Sequence, residues 1–118
     1  MTIRPLFAAL AVLALAGCAA DPAPNEQMRL TEQALEQARA VGATAEDVPE
    51  LKLAEGKYAR AQGDMADLSF KHARMRAEQA ELDARLAEAR VLTLKSQEQL
   101  NVLNTRITRL RKQLGDAQ

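Results

Sequence analysis

The chain of 118 residues is predicted to be all-α: a short helix, a second short helix and then one long helix, packed as a three-helix core with a protruding coiled-coil end. Three observations predict it. Ala, Leu, Glu, Gln and Arg dominate, and aromatic residues make up only 3% of the chain. Such a mixture forms helices readily and offers little for a sheet or a bulky core. Punctuation is the second observation, because neither Pro nor Gly interrupts the stretch from Met65 to Leu114. The third is periodicity, with apolar residues recurring at intervals of three and four.

The N-terminal segment reads as an export signal. Arg4 supplies a positive n-region and Leu6 to Leu15 an apolar h-region, well short of the ~20 residues that span a bilayer. Leu15-Ala16-Gly17-Cys18 closes the run with the only cysteine of the chain. This tetrad resembles the lipobox of bacterial lipoprotein precursors. The resemblance implies cleavage before Cys18, removal of residues 1–17, and acylation of Cys18 on its sulfur and its new amino terminus. Several fatty chains, at ~0.8 kcal/mol per buried methylene, hold a protein durably on a membrane. A free thiol or an intermolecular disulfide is the alternative for a lone exported cysteine. With Ala19 rather than Asp after the cysteine, the same resemblance implies the periplasmic face of the outer membrane.

Residues 18–24 form the lipidated tether, since each residue before Pro22 and Pro24 is pushed toward extended backbone. An Ala-rich helical core is expected over 25–94. Asn25 can cap a first helix whose inner face carries Leu30, Ala34, Ala38 and Val41, and Gly42 supplies a left-handed stop. Asp47 and Glu50 have capping-box spacing, with Pro49 tolerated in the first turn. Leu51, Ala54, Tyr58 and Ala61 mark the buried face of the second helix. Gly63-Asp64 reads as the next stop and start.

The long helix, from Met65 to about Leu114, carries two stripes. A heptad seam places Met65, His72, Gln79, Leu86, Thr93, Leu100, Ile107 and Leu114 at a, and Leu68, Met75, Leu82, Ala89, Ser96, Leu103 and Leu110 at d. A second stripe of small residues, from Ala66 and Phe70 through Ala73, Ala77, Ala80, Ala84 and Ala87 to Val91 and Leu94, lies at b and f. Two faces allow two neighbours, so a three-helix core is expected around residues 65–90. Past Lys95 only the seam persists, and residues 95–118 read as a basic coiled-coil extension.

Sixteen acidic and sixteen basic residues cancel, so the whole chain has no steering field, but the distribution is uneven. Asp21, Glu26, Glu32, Glu36, Glu46, Asp47, Glu50 and Glu55 outweigh Arg29, Arg39 and Lys52, whereas Arg106, Arg109, Arg111 and Lys112 face only Asp116. Leu100, Leu103, Ile107, Leu110 and Leu114, flanked by those four cations, are the expected partner-binding residues, for a protein partner or for self-association. A parallel, in-register pair opposes Lys71 to Arg76, Glu78 to Asp83, Arg85 to Arg90 and Arg106 to Arg111, each of like charge. The expected assembly is therefore antiparallel, staggered or heterotypic.

Catalytic chemistry has little to work with. There is one histidine, no second cysteine and no glycine-rich phosphate loop, so neither an enzyme, nor a cofactor, nor a metal, nor a small-molecule substrate is expected. His72 reads as a core histidine interrupting the seam. Glu78, Glu81 and Glu88 alternate with arginines as a solvated, salt-bridged face. The basic tip lacks aromatic interleaving, which argues against nucleic acid.

Gly42 followed by Val48-Pro49-Glu50-Leu51, then Ala54, Lys57, Ala61, Gly63-Asp64 and the run Ala66, Leu68, Ala73 and Ala77 resembles a family of bacterial envelope lipoproteins with domain of unknown function 4398. The likeness covers about residues 25–90. Some relatives look to be joined to a peptidoglycan-binding OmpA-like domain, which has no counterpart here. The resemblance transfers no functional residues. The expected function is a non-enzymatic outer-membrane lipoprotein acting as a periplasmic scaffold or adaptor through its distal coiled coil. The alternative is a tetratricopeptide-like module with a groove formed by residues 25–62.

Overall fold

A computed structural model describes residues 21–116. Its elements are α1 (Asn25–Ala40), α2 (Pro49–Ala66) and α3 (Phe70–Asp116), and no strand occurs among the described residues. The path is up, down, up. α1 runs parallel to α3, with Gln27 beside Glu81 and Val41 beside Lys95. α2 runs antiparallel to it, with Asp64, Lys57 and Glu50 facing Arg76, Asp83 and Arg90 in turn.

The first helix starts one residue earlier than its expected cap. Pro24 holds the N-cap position and its carbonyl accepts the Met28 N–H at 3.0 Å, while Asn25 is already helical. Proline has no N–H to leave unsatisfied there. At the other end Gly42 adopts φ +98. Its N–H donates to the Arg39 carbonyl, and the Ala43 N–H to that of Ala38 at 3.0 Å. This is a Schellman closure, with glycine in the left-handed position as expected.

Asp47 does not cap α2. Val48, extended at φ -122 and ψ 97, takes the N-cap position ahead of Pro49, because the residue before a proline is driven out of the helical region. Asp47 instead accepts a 2.8 Å hydrogen bond from the Thr44 hydroxyl within the connecting turn. The Gly63-Asp64 stop is also corrected. α2 passes through both residues to Ala66, placing Met65 in α2 and Leu68 in the turn rather than in the long helix. The closure is again of Schellman type: Leu68 donates to Met65 and Ser69 to Asp64, with Leu68 at φ 57. Leucine rarely occupies this region. Four residues earlier, a 3.2 Å ion pair between Asp64 and Arg76 ties the end of α2 to α3.

The core is made of alanine. Ala73, Ala77, Ala80, Ala84 and Ala87 are fully enclosed, and Val91 closes the stripe. The small side chains let three helices approach closely. Ala34, Leu35, Ala38, Leu51, Ala54 and Ala61 meet them from α1 and α2. Leu30, Val41, Tyr58 and Phe70 are half-buried, and Ala66 and Leu94 are exposed. A polar residue joins the apolar contact: Thr31 is 0% exposed. Its Oγ1 lies 2.8 Å from the Gln27 carbonyl and 2.9 Å from that of Ala77, so one hydroxyl proton is shared between a same-helix and a cross-helix acceptor. Thr31 is on the helical face of Ala34, Leu35 and Ala38, a spacing from which its burial could have been read.

Candidate interaction surface

The heptad seam of α3 lies on the side away from α1 and α2. The b and f positions are enclosed by the short helices, and the a and d positions sit nearly opposite on the helical wheel. The consequence is exposure along the whole seam, not only at its distal end. On α3 Leu82 is 67% exposed and Leu114 70%, Met75, Leu86, Leu100, Leu103, Ile107 and Leu110 are exposed as well, and Leu68 in the turn ahead of α3 is 73% exposed. His72 is exposed too. It does not interrupt a core, because the seam on which it lies has no covering helix. Leu92, one position off the seam, and Leu53 on α2 add to the exposed aliphatics, and neither was singled out by the heptad.

The edges of the seam are defined by charge. At the e positions Arg76, Asp83 and Arg90 reach back to α2 and pair with Asp64, Lys57 and Glu50. Sequence spacing alone did not reveal these links, because each joins residues from different helices. The carboxylate of Glu50 is held below the usual range by its own backbone N–H and by the Arg90 guanidinium. On the α1 side Glu81 accepts from the Gln27 amide at 2.7 Å and pairs with Arg85 at 2.6 Å. Both lower its pKa, Gln27 more strongly, against the opposing effect of partial burial. The solvated face expected for Glu81 is therefore partly an interhelical link.

Beyond Val91 no residue of α3 is buried. Lys95 still reaches back to the end of α1, donating from Nζ to the Val41 carbonyl at 2.6 Å. Residues 96–116 continue as a single helix about 30 Å long. Leu100, Leu103, Ile107, Leu110 and Leu114 line one side of it, with Arg106 and Arg111 at the seam's two edges. Arg109 and Lys112 are turned further round the helix. All four cations are exposed, and none pairs with a carboxylate among the described residues. Leu15, Ala16, Gly17 and Cys18 lie outside the described residues.

Among the described residues no group of His, Cys, Asp and Glu is arranged to hold a metal ion. No helix there is long and apolar enough to cross a membrane. The inner faces of α1 and α2, from which a groove over residues 25–62 would be built, are packed on the alanine stripe of α3.

A family profile described as Domain of unknown function (DUF4398) matches residues 26–103. The chain belongs to the DUF4398 family. The matched region takes in all of the helical core and the first part of the free helix. A solved structure is similar over most of the chain: the crystal structure of a DUF4398 family protein from Pseudomonas aeruginosa PAO1. It is 67% identical, covers 82% of this chain and 100% of its own, and has a TM-score of 0.79. Among curated proteins none matches the chain. This DUF4398 chain is thus three helices with the third prolonged, and the seam of α3 is a line of exposed aliphatics.

Proposed function

We propose that this DUF4398 protein is a non-enzymatic, lipid-anchored scaffold or adaptor of the bacterial envelope. It sits on the periplasmic face of the outer membrane and holds a partner through the seam of α3. The observation that carries this reading is the continuous line of exposed aliphatics at Leu100, Leu103, Ile107, Leu110 and Leu114, on a helix that has left its own core. Half-exposed leucines each forgo about 1 kcal/mol of burial. A chain that keeps several of them in line has a surface suited to covering by another helix. The Leu15 to Cys18 tetrad supports the anchor, and the free cations of the tip support an acidic or anionic counterpart. Over residues 25–62 a peptide client would have to displace α3, which favours the seam over the groove.

Deletion of residues 96–118 tests the reading, because it leaves Lys95 and every core residue in place. Chains carrying a photo-cross-linking residue at Leu68 are compared with and without the deletion in cells. Loss of the adduct on deletion is expected. An adduct unchanged by deletion and abolished by substitutions at Tyr58 would transfer the function to the groove. Labelling with a fatty acid that disappears in Cys18→Ala tests the anchor separately, and labelling that persists would remove it.

A further inference from the structure

We propose that the seam of α3 docks on the seam of a second copy of this chain, antiparallel and centred on Val91. The inference rests on the reading of the seam as an interaction surface and names its partner. Val91 lies midway between Met75 and Ile107 and between Leu82 and Leu100, four exposed residues of the stripe. Turning one copy end for end about that point sets each a residue against a d residue of the other. Met75 then meets Ile107 and Leu82 meets Leu100, two contacts between large side chains that symmetry repeats, while Leu86 meets Ser96. The polar interruptions His72 and Gln79 fall opposite Leu110 and Leu103 rather than opposite each other. Smaller residues collect at the centre, where Ala89 faces Thr93. Both short helices stand on the far side of α3 and leave the approach open.

Charge selects the register. In an antiparallel pair g residues meet g residues and e residues meet e residues. On the g edge Glu78 meets Arg106 of the other copy, and symmetry makes this contact twice. Both residues are exposed, and neither is engaged in an ion pair among the described residues. Arg85 meets Gln99, Lys71 meets Gln113, and Leu92 meets its own counterpart at the axis. Arg90 also meets its counterpart, but each is already compensated by Glu50 within its own copy. A slide of one heptad in either direction sets Arg85 against Arg106 and Arg76 against Arg111, or Lys71 against Arg106. A slide of two heptads toward the tips avoids repulsion, yet it uncovers Met75 and recruits Asp83, which Lys57 already holds at 2.6 Å.

Chains so paired enter their helices at opposite ends of the assembly. Where both are anchored at Cys18, tethers 18–24 of at most about 25 Å bring both lipid groups to one bilayer when the pair lies along its surface.

The test uses the full chain with Cys18→Ser, which removes the native thiol. Sedimentation equilibrium is expected to show a monomer–dimer equilibrium. Mixing chains bearing Leu82→Cys with chains bearing Leu100→Cys is expected to give a disulfide dimer on oxidation, whereas each alone does not. Glu78→Arg weakens the dimer roughly tenfold, Arg106→Glu does the same, and the double reversal restores it, as expected for two exposed ion pairs inverted together. Both positions are exposed, so the helical signal of the variants stays unchanged and serves as the folding control. A dimer cross-linked by Leu100→Cys alone overturns the antiparallel arrangement. Cross-linking between Leu82→Cys and Leu114→Cys in place of Leu82→Cys and Leu100→Cys overturns the register centred on Val91. A chain that stays monomeric overturns self-docking. In that case a photo-cross-linker at Leu103 that captures a different envelope protein in cells leaves the seam's role standing, and one that captures nothing overturns both.

Discussion

The Lys95 ammonium closes on the carbonyl of Val41 at 2.6 Å, across the last turn of α1. The contact sits over Gly42, where a Cβ would come 3.5 Å from the same Nζ. It marks the level at which α3 parts from the short helices, so two adjacent features, a left-handed turn and an interhelical hydrogen bond, define one end of the core.

Gly42→Ala is expected to destabilise the core although the site has room for a methyl group. The cost arises from φ +98, a conformation that charges an L residue about 1 kcal/mol or more. Thermal unfolding followed by circular dichroism should show a lower Tm. An unchanged Tm would mean that the turn refolds at no cost.

Enlarging the alanine stripe should be far more damaging than trimming the seam. Ala84→Leu forces extra atoms into a fully enclosed contact and is expected to cost about 1–3 kcal/mol or more. Leu82→Ala removes an exposed side chain of the monomer and should stay within about 0.5 kcal/mol. Denaturant titrations at concentrations low enough to keep the chain monomeric compare the two, and the reverse order would relocate the core to the seam.

These paired substitutions show why part of the architecture was legible and part was not. Gly42, Leu51, Ala54 and Ala61 announce themselves by local chemistry, since a positive φ calls for glycine and a repeated three-and-four spacing calls for a helical face. Leu68 gives no such signal. The turn after α2 uses a leucine in the left-handed region, whereas Gly63 lies inside a helix that tertiary contacts such as Asp64 with Arg76 carry onward. For α3, both stripes were visible as patterns, and the alanine stripe was correctly matched to two neighbours. That the large residues of the seam are bare as far back as Met75 depends on where α1 and α2 lie around the helix, which heptad positions do not encode. Thr31 and the three e-position ion pairs likewise join residues far apart in sequence.

Ending the chain after Lys95 should leave the core intact. Residues 96–116 are all exposed, so Tm of the monomer is expected to move by only a few degrees, within the range of a surface change of under about 0.5 kcal/mol. The ellipticity at 222 nm should fall with the lost helix. A collapse of the transition would show that the free helix supports the core from a distance.

Acid should loosen the bundle. Glu50 and Glu81 both have pKa values lowered in the folded state, so their stabilisation is fully present above the ordinary glutamate value of about 4.3 and is lost as pH falls through the lower folded values. Tm should be nearly level from neutrality to about pH 5 and decline below about pH 4. Glu81→Gln, which cannot pair with Arg85 as an anion, should show a shallower decline. An identical profile would remove Glu81 from the acid response.

Because residues 96–116 are exposed throughout, length becomes a quantity the sequence can vary independently of stability. Each added heptad extends the arm by roughly 10 Å and leaves the direction of its apolar edge almost unchanged. An insertion of three or four residues instead changes the heptad phase and re-aims that edge. The free arm is graduated in heptads, and a change of length in whole heptads would move its tip while leaving its apolar edge almost where it was.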